Sequence, residues 1–445
     1  KWGMAMRMYD IIDKKKKGFE LTPKEITYMV EGYVAGEIPD YQVSAFLMAV
    51  YYEGMSEKEL SVFTDSMAKS GDMVDLSQIK GIKVDKHSTG GVGDKTTLAV
   101  APLVAACGGR VAKMSGRGLG FTGGTIDKLE SIPGMQTAIS EERFFEIVND
   151  IGLSVIGQSA EIAPADKKLY ALRDVTATVD SIPLIAASIM SKKLASGSDK
   201  IVLDVTVGSG AFMKNIDDAI CLAQRMVEIG ENAGRQTVAI LTNMDVPLGE
   251  AVGNDIEVVE AIETLQGKGS EDFRQICVEF AAYMLYLGEI ADLETSRKMV
   301  EDAIDYGKGI DKLAAMVKAQ GGDESYIYHP EKFEKAPYQK DFVMKKSAYI
   351  KSMDTEKCGK TSVVLGAGRE TKESQIDSKA GLRFYHKTGE YVKQGEVLAR
   401  LYASDEEKLN QAVQYLKTAY KYSDTPVEPM KEIIAYVTKD GVYKQ

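Results

Sequence analysis

Two loops rich in glycine and hydroxyl side chains constrain the fold of this chain more than any other feature. The first, at 86–94, has the sequence KHSTGGVGD, and the second, at 115–125, has the sequence SGRGLGFTGGT. Each follows a short apolar run and precedes a helix-like run, and such strand–loop–helix units in a parallel sheet place their loops at one edge. Backbone N–H groups, hydroxyls and lysines that meet there form a site for a tetrahedral anion, and phosphate is the anion we expect.

The rest of the chain continues the alternation of strands and helices. The predicted strands are at 82–84, 110–114, 154–156, 201–207 and 237–241. Helical patterns lie between most of them, which indicates a mostly parallel sheet covered on both faces. Three amphipathic helices are predicted over 22–70, and capping boxes begin at Thr22 and Ser56.

The segment 160–196 interrupts this alternation with two helices that begin near Pro164 and Pro183. We expect it to return to the N-terminal helices and to leave a cleft beside the sheet. The predicted fold class is therefore α/β, with a small all-α domain (1–76 and 160–196) and a large mostly parallel α/β domain (77–159 and 197–340). A C-terminal α+β domain (341–445) follows, in which a glycine-turned hairpin is predicted at 387–398; this hairpin resembles the hammerhead modules that carry lipoyl or biotinyl groups.

Composition excludes some classes of partner. The net charge of −11 argues against general binding to nucleic acid or to an anionic membrane. The four cysteines are far apart and form no CxxC pair, and no long apolar span is present, so we expect reduced thiols and a cytoplasmic location.

The first loop supplies groups suited to an anion. Lys86 provides a positive charge, Ser88 and Thr97 provide hydroxyls, and Asp94 is expected to cap the following helix. A Walker loop is the obvious competitor, but it requires glycine immediately before Lys95, where Asp94 stands.

Longer motifs give a specific resemblance. The segments 115–119 (SGRGL) and 122–130 (TGGTIDKLE) resemble the signature of thymidine and pyrimidine-nucleoside phosphorylases. Further matches are 84–94, 163–167 (APADK), 178–184 (TVDSIPL) and 207–213 (VGSGAFM). The resemblance implies reversible phosphorolysis of uridine, thymidine and deoxyuridine to the free base and (deoxy)ribose 1-phosphate, by a homodimer and with no organic cofactor.

The resemblance also implies site residues. Phosphate would be held by Lys86, Ser88, Thr97, Lys113, Met114, Ser115 and Thr125. The nucleoside would be held by Ser188, Arg173, Lys192 and Lys113, and the catalytic set would be His87, Arg173 and Lys192. Ser188 and Lys192 are four residues apart on one predicted helix, so they share a face, and cations there suit the carbonyl edges of a departing pyrimidine.

Two of these residues carry finer expectations. His87 is the candidate donor to base O2 or to a sugar hydroxyl, and its neighbour Lys86 disfavours the imidazolium form. Lys113 is expected to point toward the rim of the site. Thymidine-restricted relatives tend to have an apolar residue there, so lysine predicts that both uridine and thymidine are accepted.

Three positions depart from the family pattern: Phe121 replaces a frequent histidine, Thr206 a usual lysine, and Lys95 a threonine associated with a monovalent cation site. The potassium site implied by the family would involve Gly93, Lys95, Leu248, Ala251 and Glu260. If the Lys95 side chain turns inward, its ammonium group would take the place of the ion.

Two other functions remain open from sequence. A phosphoribosyltransferase of the same fold class would need magnesium, and the pair Asp217 and Asp218 is the acidic candidate, although it suits a helix N-terminus better. A non-catalytic nucleoside-binding protein would bind uridine without phosphate-dependent release of uracil.

Overall fold

The computed structural model describes residues 6–118, 120–121, 123–369 and 374–445. The helices are α1 (Met8–Lys15), α2 (Pro23–Ala35), α3 (Asp40–Glu53), α4 (Glu57–Ala68), α5 (Thr96–Ala106), α6 (Thr125–Glu130), α7 (Glu141–Ile151), α8 (Pro164–Asp174), α9 (Ile182–Ala195), α10 (Ile216–Asn232), α11 (Asp255–Leu265), α12 (Glu271–Leu287), α13 (Leu293–Asp305), α14 (Lys308–Ala319), α15 (Ser325–Tyr328), α16 (Thr355–Leu365) and α17 (Glu406–Leu416). The strands are β1 (Val84–Ser88), β2 (Val111–Ser115), β3 (Leu153–Gly157), β4 (Lys200–Val207), β5 (Gln236–Asn243), β6 (Ala251–Gly253), β7 (Tyr338–Val343), β8 (Ala348–Met353), β9 (Gly381–Phe384), β10 (Tyr391–Val392), β11 (Val397–Ala403), β12 (Tyr420–Ser423), β13 (Ile433–Thr438) and β14 (Gly441–Lys444).

The helical layer consists of α1–α4 together with α8 and α9, which pack against α2 and α4. Capping boxes at Thr22 and Ser56 begin α2 and α4, as predicted. In each box the hydroxyl accepts the backbone N–H of the glutamate three residues later, and that glutamate's carboxylate accepts the backbone N–H of the capping residue. The glutamate of the second box, Glu59, also forms a buried ion pair with Lys15 of α1 at 2.9 Å. Local caps and this long-range pair together hold the layer.

The central sheet has the order β1-β4-β5-β13-β14, in which β1, β4 and β5 are parallel and β13 is antiparallel to β5. The parallel pair β2-β3 lies beside it, connected through a parallel bridge between Lys83 and Arg110. Helices cover both faces, and the predicted α/β class with a helical domain and a C-terminal α+β domain is confirmed.

Side chains alternate between the two faces of the sheet, so each face has its own core. Ile201, Leu203 and Val205 of β4 pack with the helical layer, whereas Val202 packs with α5, α12 and the C-terminal domain. The helical layer therefore sits directly on one face of the sheet that carries the loops.

The C-terminal domain contains two small sheets, with orders β10-β8-β12 and β6-β9-β11-β7. The predicted hairpin at 387–398 is wrong, because β10 pairs with β8 while β11 pairs with β9 and β7. The chain then leaves this domain, and β13 and β14 complete the central sheet.

Candidate active site

The two glycine-rich loops lie side by side at the ends of β1 and β2. Two lysines connect them. The Nζ atom of Lys113, on β2, donates to the backbone carbonyl of Lys86 on β1. The Nζ atom of Lys128, on α6, donates to the carbonyl of Asp94 at 2.5 Å. Cationic side chains from the second strand–loop–helix unit thus support the backbone of the first.

Lys86 points into the α5 and α12 side of the sheet. Its Nζ atom lies 3.0 Å from Asp204 Oδ2, 2.5 Å from Thr96 Oγ1 and 4.9 Å from the centre of the Phe280 ring. Burial alone would lower the pKa of Lys86, but Asp204 and Asp94 raise it above its ordinary value. The buried ammonium group therefore stays charged at neutral pH.

The predicted hydroxyl contacts to phosphate all lie at this edge. Ser88 ends β1, and its Oγ accepts the N–H of Gly90 at 3.2 Å. Thr97 lies in the first turn of α5, Ser115 ends β2, and Thr125 is the first residue of α6. At these positions, strand ends and helix starts direct hydroxyls and N–H groups toward the same region.

The start of α5 differs slightly from the prediction for Asp94. The helix begins at Thr96 rather than directly after Asp94, with Lys95 at the N-cap position. Asp94 Oδ1 still accepts two hydrogen bonds from Thr96, one from the backbone N–H at 3.1 Å and one from the hydroxyl at 2.6 Å. Asp94 consequently stabilises the end of the loop rather than acting as the N-cap residue.

The second loop is anchored through Asp127 of α6. Its Oδ2 accepts the N–H of Gly118 at 2.8 Å, and its Oδ1 pairs with Arg117 at 3.1 Å. Arg369, which follows α16 in the C-terminal domain, pairs with the same Oδ1 at 2.8 Å. The second loop is thus tied to the C-terminal domain. Two members of its motif lie outside the described residues: Leu119 and Thr122.

Two departures from the family pattern have visible structural roles. The Thr206 hydroxyl donates to the carbonyl of Gly90 at 2.6 Å, so it fastens the first loop to β4. Phe121 packs against Gly359 of α16, where an added Cβ would lie 2.6 Å from the Phe121 carbonyl oxygen and 2.8 Å from Val92. An apolar contact therefore occupies the position where a polar loop residue is frequent.

Asp85 and His87 face the helical layer, since they alternate with Lys86 along β1. Asp85 forms two buried ion pairs, with Lys113 Nζ at 3.2 Å and with Lys193 Nζ of α9 at 2.8 Å. Burial lowers the pKa of Lys113 to about 8, although Asp85 opposes this shift. Lys113 is buried beneath the site instead of pointing to its open rim as predicted. Met114 contributes only a backbone carbonyl, which accepts from Lys193 at 3.4 Å.

His87 is neutral at physiological pH. Burial, together with the charges of Lys193 and Lys113, lowers its pKa well below 6.5, and Lys192 adds to this effect. The direction agrees with the prediction, but the main cationic neighbours differ from the expected Lys86. A neutral imidazole donates one hydrogen bond and accepts another.

The predicted nucleoside contacts gather on α8 and α9. Lys192 Nζ lies 3.2 Å from Ser188 Oγ one turn earlier and pairs with Asp166 of α8. Arg173 is buried, and its guanidinium donates to three carbonyls, those of Thr178, Val179 and Leu184. Three of its five N–H groups therefore hold the 178–184 turn, which leaves two for a ligand.

Sequence reasoning missed the carboxylates that position these lysines, and it missed Lys193. Asp85 and Asp166 fell within recognised motifs but were given no role. The alternating pattern of β1 was the available signal for Asp85, because a charged residue in a buried strand needs a partner. The doublet at 192–193 places its two ammonium groups about 100° apart on α9, so one meets Asp166 and the other meets Asp85.

Lys95, in contrast, points into a cage of oxygen atoms between the end of the first loop and the segment 248–251. Its Nζ lies 3.0 Å from the Gly93 carbonyl, 2.7 Å from that of Leu248, 3.2 Å from that of Ala251 and 2.8 Å from Glu260 Oε2. The Lys95 side chain therefore turns inward, an orientation that the sequence had left undecided.

Within the described residues, no group of three or more His, Cys, Asp or Glu side chains is arranged to hold a metal ion. Asp217 and Asp218 lie in the first turn of α10, where Asp218 takes part in the Asn215 cap. None of the described helices combines the length and apolar character needed to cross a membrane.

Comparison with known proteins identifies the family. Three segments match family descriptions: 9–71 matches the helical bundle domain of the glycosyl transferase family, 80–310 its a/b domain, and 349–423 the pyrimidine nucleoside phosphorylase C-terminal domain. A pyrimidine-nucleoside phosphorylase of Geobacillus stearothermophilus is 52% identical over 424 residues, which cover 95% of this chain and 98% of that protein. One from Staphylococcus epidermidis is 53% identical over 403 residues, covering 90% and 93%.

A solved structure supports the fold alone. Anthranilate phosphoribosyltransferase from Thermus thermophilus aligns with a TM-score of 0.57 at 17% identity, over 70% of this chain and 99% of that one. The relatives at 52% and 53% identity match nearly the whole length, and the domain matches follow the same order along the sequence. This chain therefore belongs to the pyrimidine-nucleoside phosphorylase family.

Proposed function

We propose that this protein catalyses the reversible phosphorolysis of pyrimidine nucleosides to the free base and (deoxy)ribose 1-phosphate, with uridine, thymidine and deoxyuridine as substrates. One observation carries the proposal: Lys86 and Ser88 of β1 contact the first loop and the start of α5, whereas His87 lies on the opposite face of the strand near Lys192 of α9. A single strand thus separates an anion site from a site for a polar ring.

On the phosphate side, the groups in place are the Lys86 ammonium and the hydroxyls of Ser88, Thr97, Ser115 and Thr125. Lys86 keeps its charge because Asp204 pairs with it at 3.0 Å. Phosphate bound here would attack C1′ of the sugar as the glycosidic bond breaks, and the cation and hydroxyls would hold the nucleophile in line.

On the base side, negative charge develops on the pyrimidine as it departs. The Lys192 ammonium and the two N–H groups of Arg173 that are not used in the 178–184 turn would meet this charge at the carbonyl edges. Ser188 would complete the recognition of the ring. His87, being neutral, would donate one hydrogen bond to base O2 or to a sugar hydroxyl and would not act as a strong acid.

We place the protein in the cytoplasm as a homodimer formed through the helical layer. All four cysteines are free thiols. Tyr9 on α1 and Tyr41 and Tyr52 on α3 are exposed by 66%, 73% and 78%, and exposed aromatic rings on these two contacting helices favour a protein contact. Light scattering of the full chain after size-exclusion chromatography tests this proposal, and a dimer is expected. If the double variant Tyr41→Lys, Tyr52→Lys is a monomer, the contact lies at these two residues.

The deciding experiment measures uracil release from uridine with and without inorganic phosphate. The expected result is release only with phosphate, together with one ribose 1-phosphate for each uracil. Release that does not depend on phosphate would mean a hydrolase, and tight uridine binding without release would mean a binding protein. Activity only with a pyrophosphorylated sugar and Mg²⁺ would mean a phosphoribosyltransferase.

A further inference from the structure

The cage around Lys95 surrounds one positive charge with more oxygen atoms than an ammonium group can use. Three backbone carbonyls and one carboxylate oxygen lie 2.7–3.2 Å from Nζ. An ammonium group has three N–H donors. Four oxygens of this kind, three of them carbonyls that replace a hydration shell, suit a spherical monovalent cation such as K⁺.

The cage is held together by its own backbone and not only by the lysine. Both oxygens of Glu260 accept backbone N–H groups, those of Glu250 and Ala251, each at 2.7 Å. The loop carbonyls are fixed as well, since the Leu248 N–H bonds to the Val92 carbonyl at 3.0 Å. Removal of the ammonium group would therefore leave an anionic, oxygen-lined cavity.

An ion does not fit beside the ammonium group. The Lys95 side chain has no solvent exposure, and the Phe273 ring lies 4.8 Å from Nζ. A Cβ added at Gly249 would lie 2.7 Å from Nζ and 2.5 Å from Glu260 Oε1. The residues present therefore disagree with the potassium site implied by the family, because a side chain occupies the position of the ion.

We propose that the Lys95 ammonium is a covalently attached substitute for a monovalent cation, so that the folded protein requires no K⁺. The Lys95 ammonium joins residues 93–95, where the first loop ends, to the segment 248–251 and to α11, directly behind the first turn of α5. The same geometry predicts that Lys95→Thr, which removes the ammonium and restores an oxygen, creates a K⁺ site.

Thermal unfolding of the full chain tests this in KCl, NaCl and choline chloride at equal ionic strength. The wild-type Tm is expected to be the same in all three salts. The Tm of Lys95→Thr is expected to fall in choline chloride and to be restored in KCl, rising with the logarithm of the K⁺ concentration as binding linkage requires. This readout does not depend on the proposed reaction.

Lys15→Thr is the matched control. Lys15 is also a buried lysine, and its Nζ lies 2.9 Å from both carboxylate oxygens of Glu59 without a cage of carbonyls. Its loss should lower the Tm equally in all three salts. Selective rescue of Lys15→Thr by K⁺ would overturn the proposal.

Two further results would also overturn it: a K⁺-specific rise in the wild-type Tm, or a folded Lys95→Thr protein with the same Tm in every salt. If Lys95→Thr is recovered only unfolded, the wild-type comparison decides alone. A K⁺-specific rise then rejects the proposal, and equal Tm values support it.

Discussion

His87 shows at the residue scale how buried charge controls protonation. Its ring is half-buried among Lys193, Lys113 and Lys192, so its pKa lies well below 6.5 in the folded protein, whereas in the unfolded chain it returns to about 6.5. As the pH falls through 6.5, the unfolded state binds a proton that the folded state does not. The free energy of unfolding therefore falls with decreasing pH, and the contribution of one such group approaches about 1.4 kcal/mol per pH unit.

Urea unfolding between pH 7.5 and 5.5 measures this slope. The variant His87→Asn is expected to show a shallower slope than the wild type, because the group that titrates only when unfolded has been removed. Equal slopes in the two proteins would mean that His87 is protonated in the folded state, which would contradict its neutral role.

Lys113 gives a second prediction at this scale. Its pKa of about 8 means that the ammonium loses its proton as the pH rises above 8. If it donates to the ribose 2′-OH, the ratio of kcat/KM for uridine to that for deoxyuridine should fall above pH 8. Both substrates carry the same base, so ionisation of the ring cancels in the ratio.

If the remaining N–H of this buried ammonium donates to the 2′-OH, the variant Lys113→Met should lower that ratio at pH 7 by about tenfold or more, the value of one charged hydrogen bond, and should remove its pH dependence. The ratio for uridine to thymidine should fall with it. An unchanged ratio for either pair would remove Lys113 from sugar recognition and leave it as the partner of Asp85.

At the scale of elements, the hydrophobic pattern predicted where the strands lie but not the residue at which each strand ends. The runs at 110–114, 201–207 and 237–241 lie within one or two residues of β2, β4 and β5. The predicted strand at 82–84 ends where β1 begins, because the polar residues Asp85, Lys86 and His87 conceal a buried strand. They are buried because partners distant in sequence, such as Lys193 and Asp204, compensate their charges.

The local sequence pattern located the loops and α8–α9, since glycine turns and proline at helix starts are local signals. It could not reveal the pairing of β13 with β5 or of Asp127 with Arg369, which depends on contacts more than 150 residues apart along the chain. It also gave the wrong direction for Lys113, because the period of a strand fixes a face and not a partner.

The tie between α6 and the C-terminal domain leads to a prediction for the second loop. Arg369→Ala removes the guanidinium that lies 2.8 Å from Asp127, and Asp127 fixes the N–H of Gly118. We expect KM for phosphate to rise several-fold, with little change in KM for uridine or in Tm, because a partly exposed ion pair contributes little to folding. Steady-state kinetics with each substrate varied in turn measures this.

Arg400→Ala is the control for that prediction. Arg400 pairs with Asp341 at 2.6 Å between β11 and β7, within the C-terminal domain and without contact to the loop. It should leave both KM values unchanged. If it raises KM for phosphate as much as Arg369→Ala does, general loosening of the C-terminal domain is responsible.

At the scale of the whole molecule, charge sets how phosphate arrives. Among the described residues, four lysines of the candidate site lie among four aspartates, so these eight side chains sum to no net charge, and Arg173 adds one positive charge. The lysines are Lys86, Lys113, Lys192 and Lys193, and the aspartates are Asp85, Asp94, Asp166 and Asp204. The chain as a whole carries −11. A dianion approaching this protein is therefore repelled at long range and attracted only by specific contacts.

Salt should weaken that repulsion, since the screening length shortens from about 30 Å at 0.01 M to about 8 Å at 0.15 M ionic strength. We expect kcat/KM for phosphate to rise over this range while kcat/KM for uridine, a neutral molecule, stays constant. Choline chloride and KCl should act equally, because Lys95 already fills the cation cage. A fall in kcat/KM for phosphate with added salt would instead mean that the lysines attract the anion at long range and that their aspartate partners do not neutralise them.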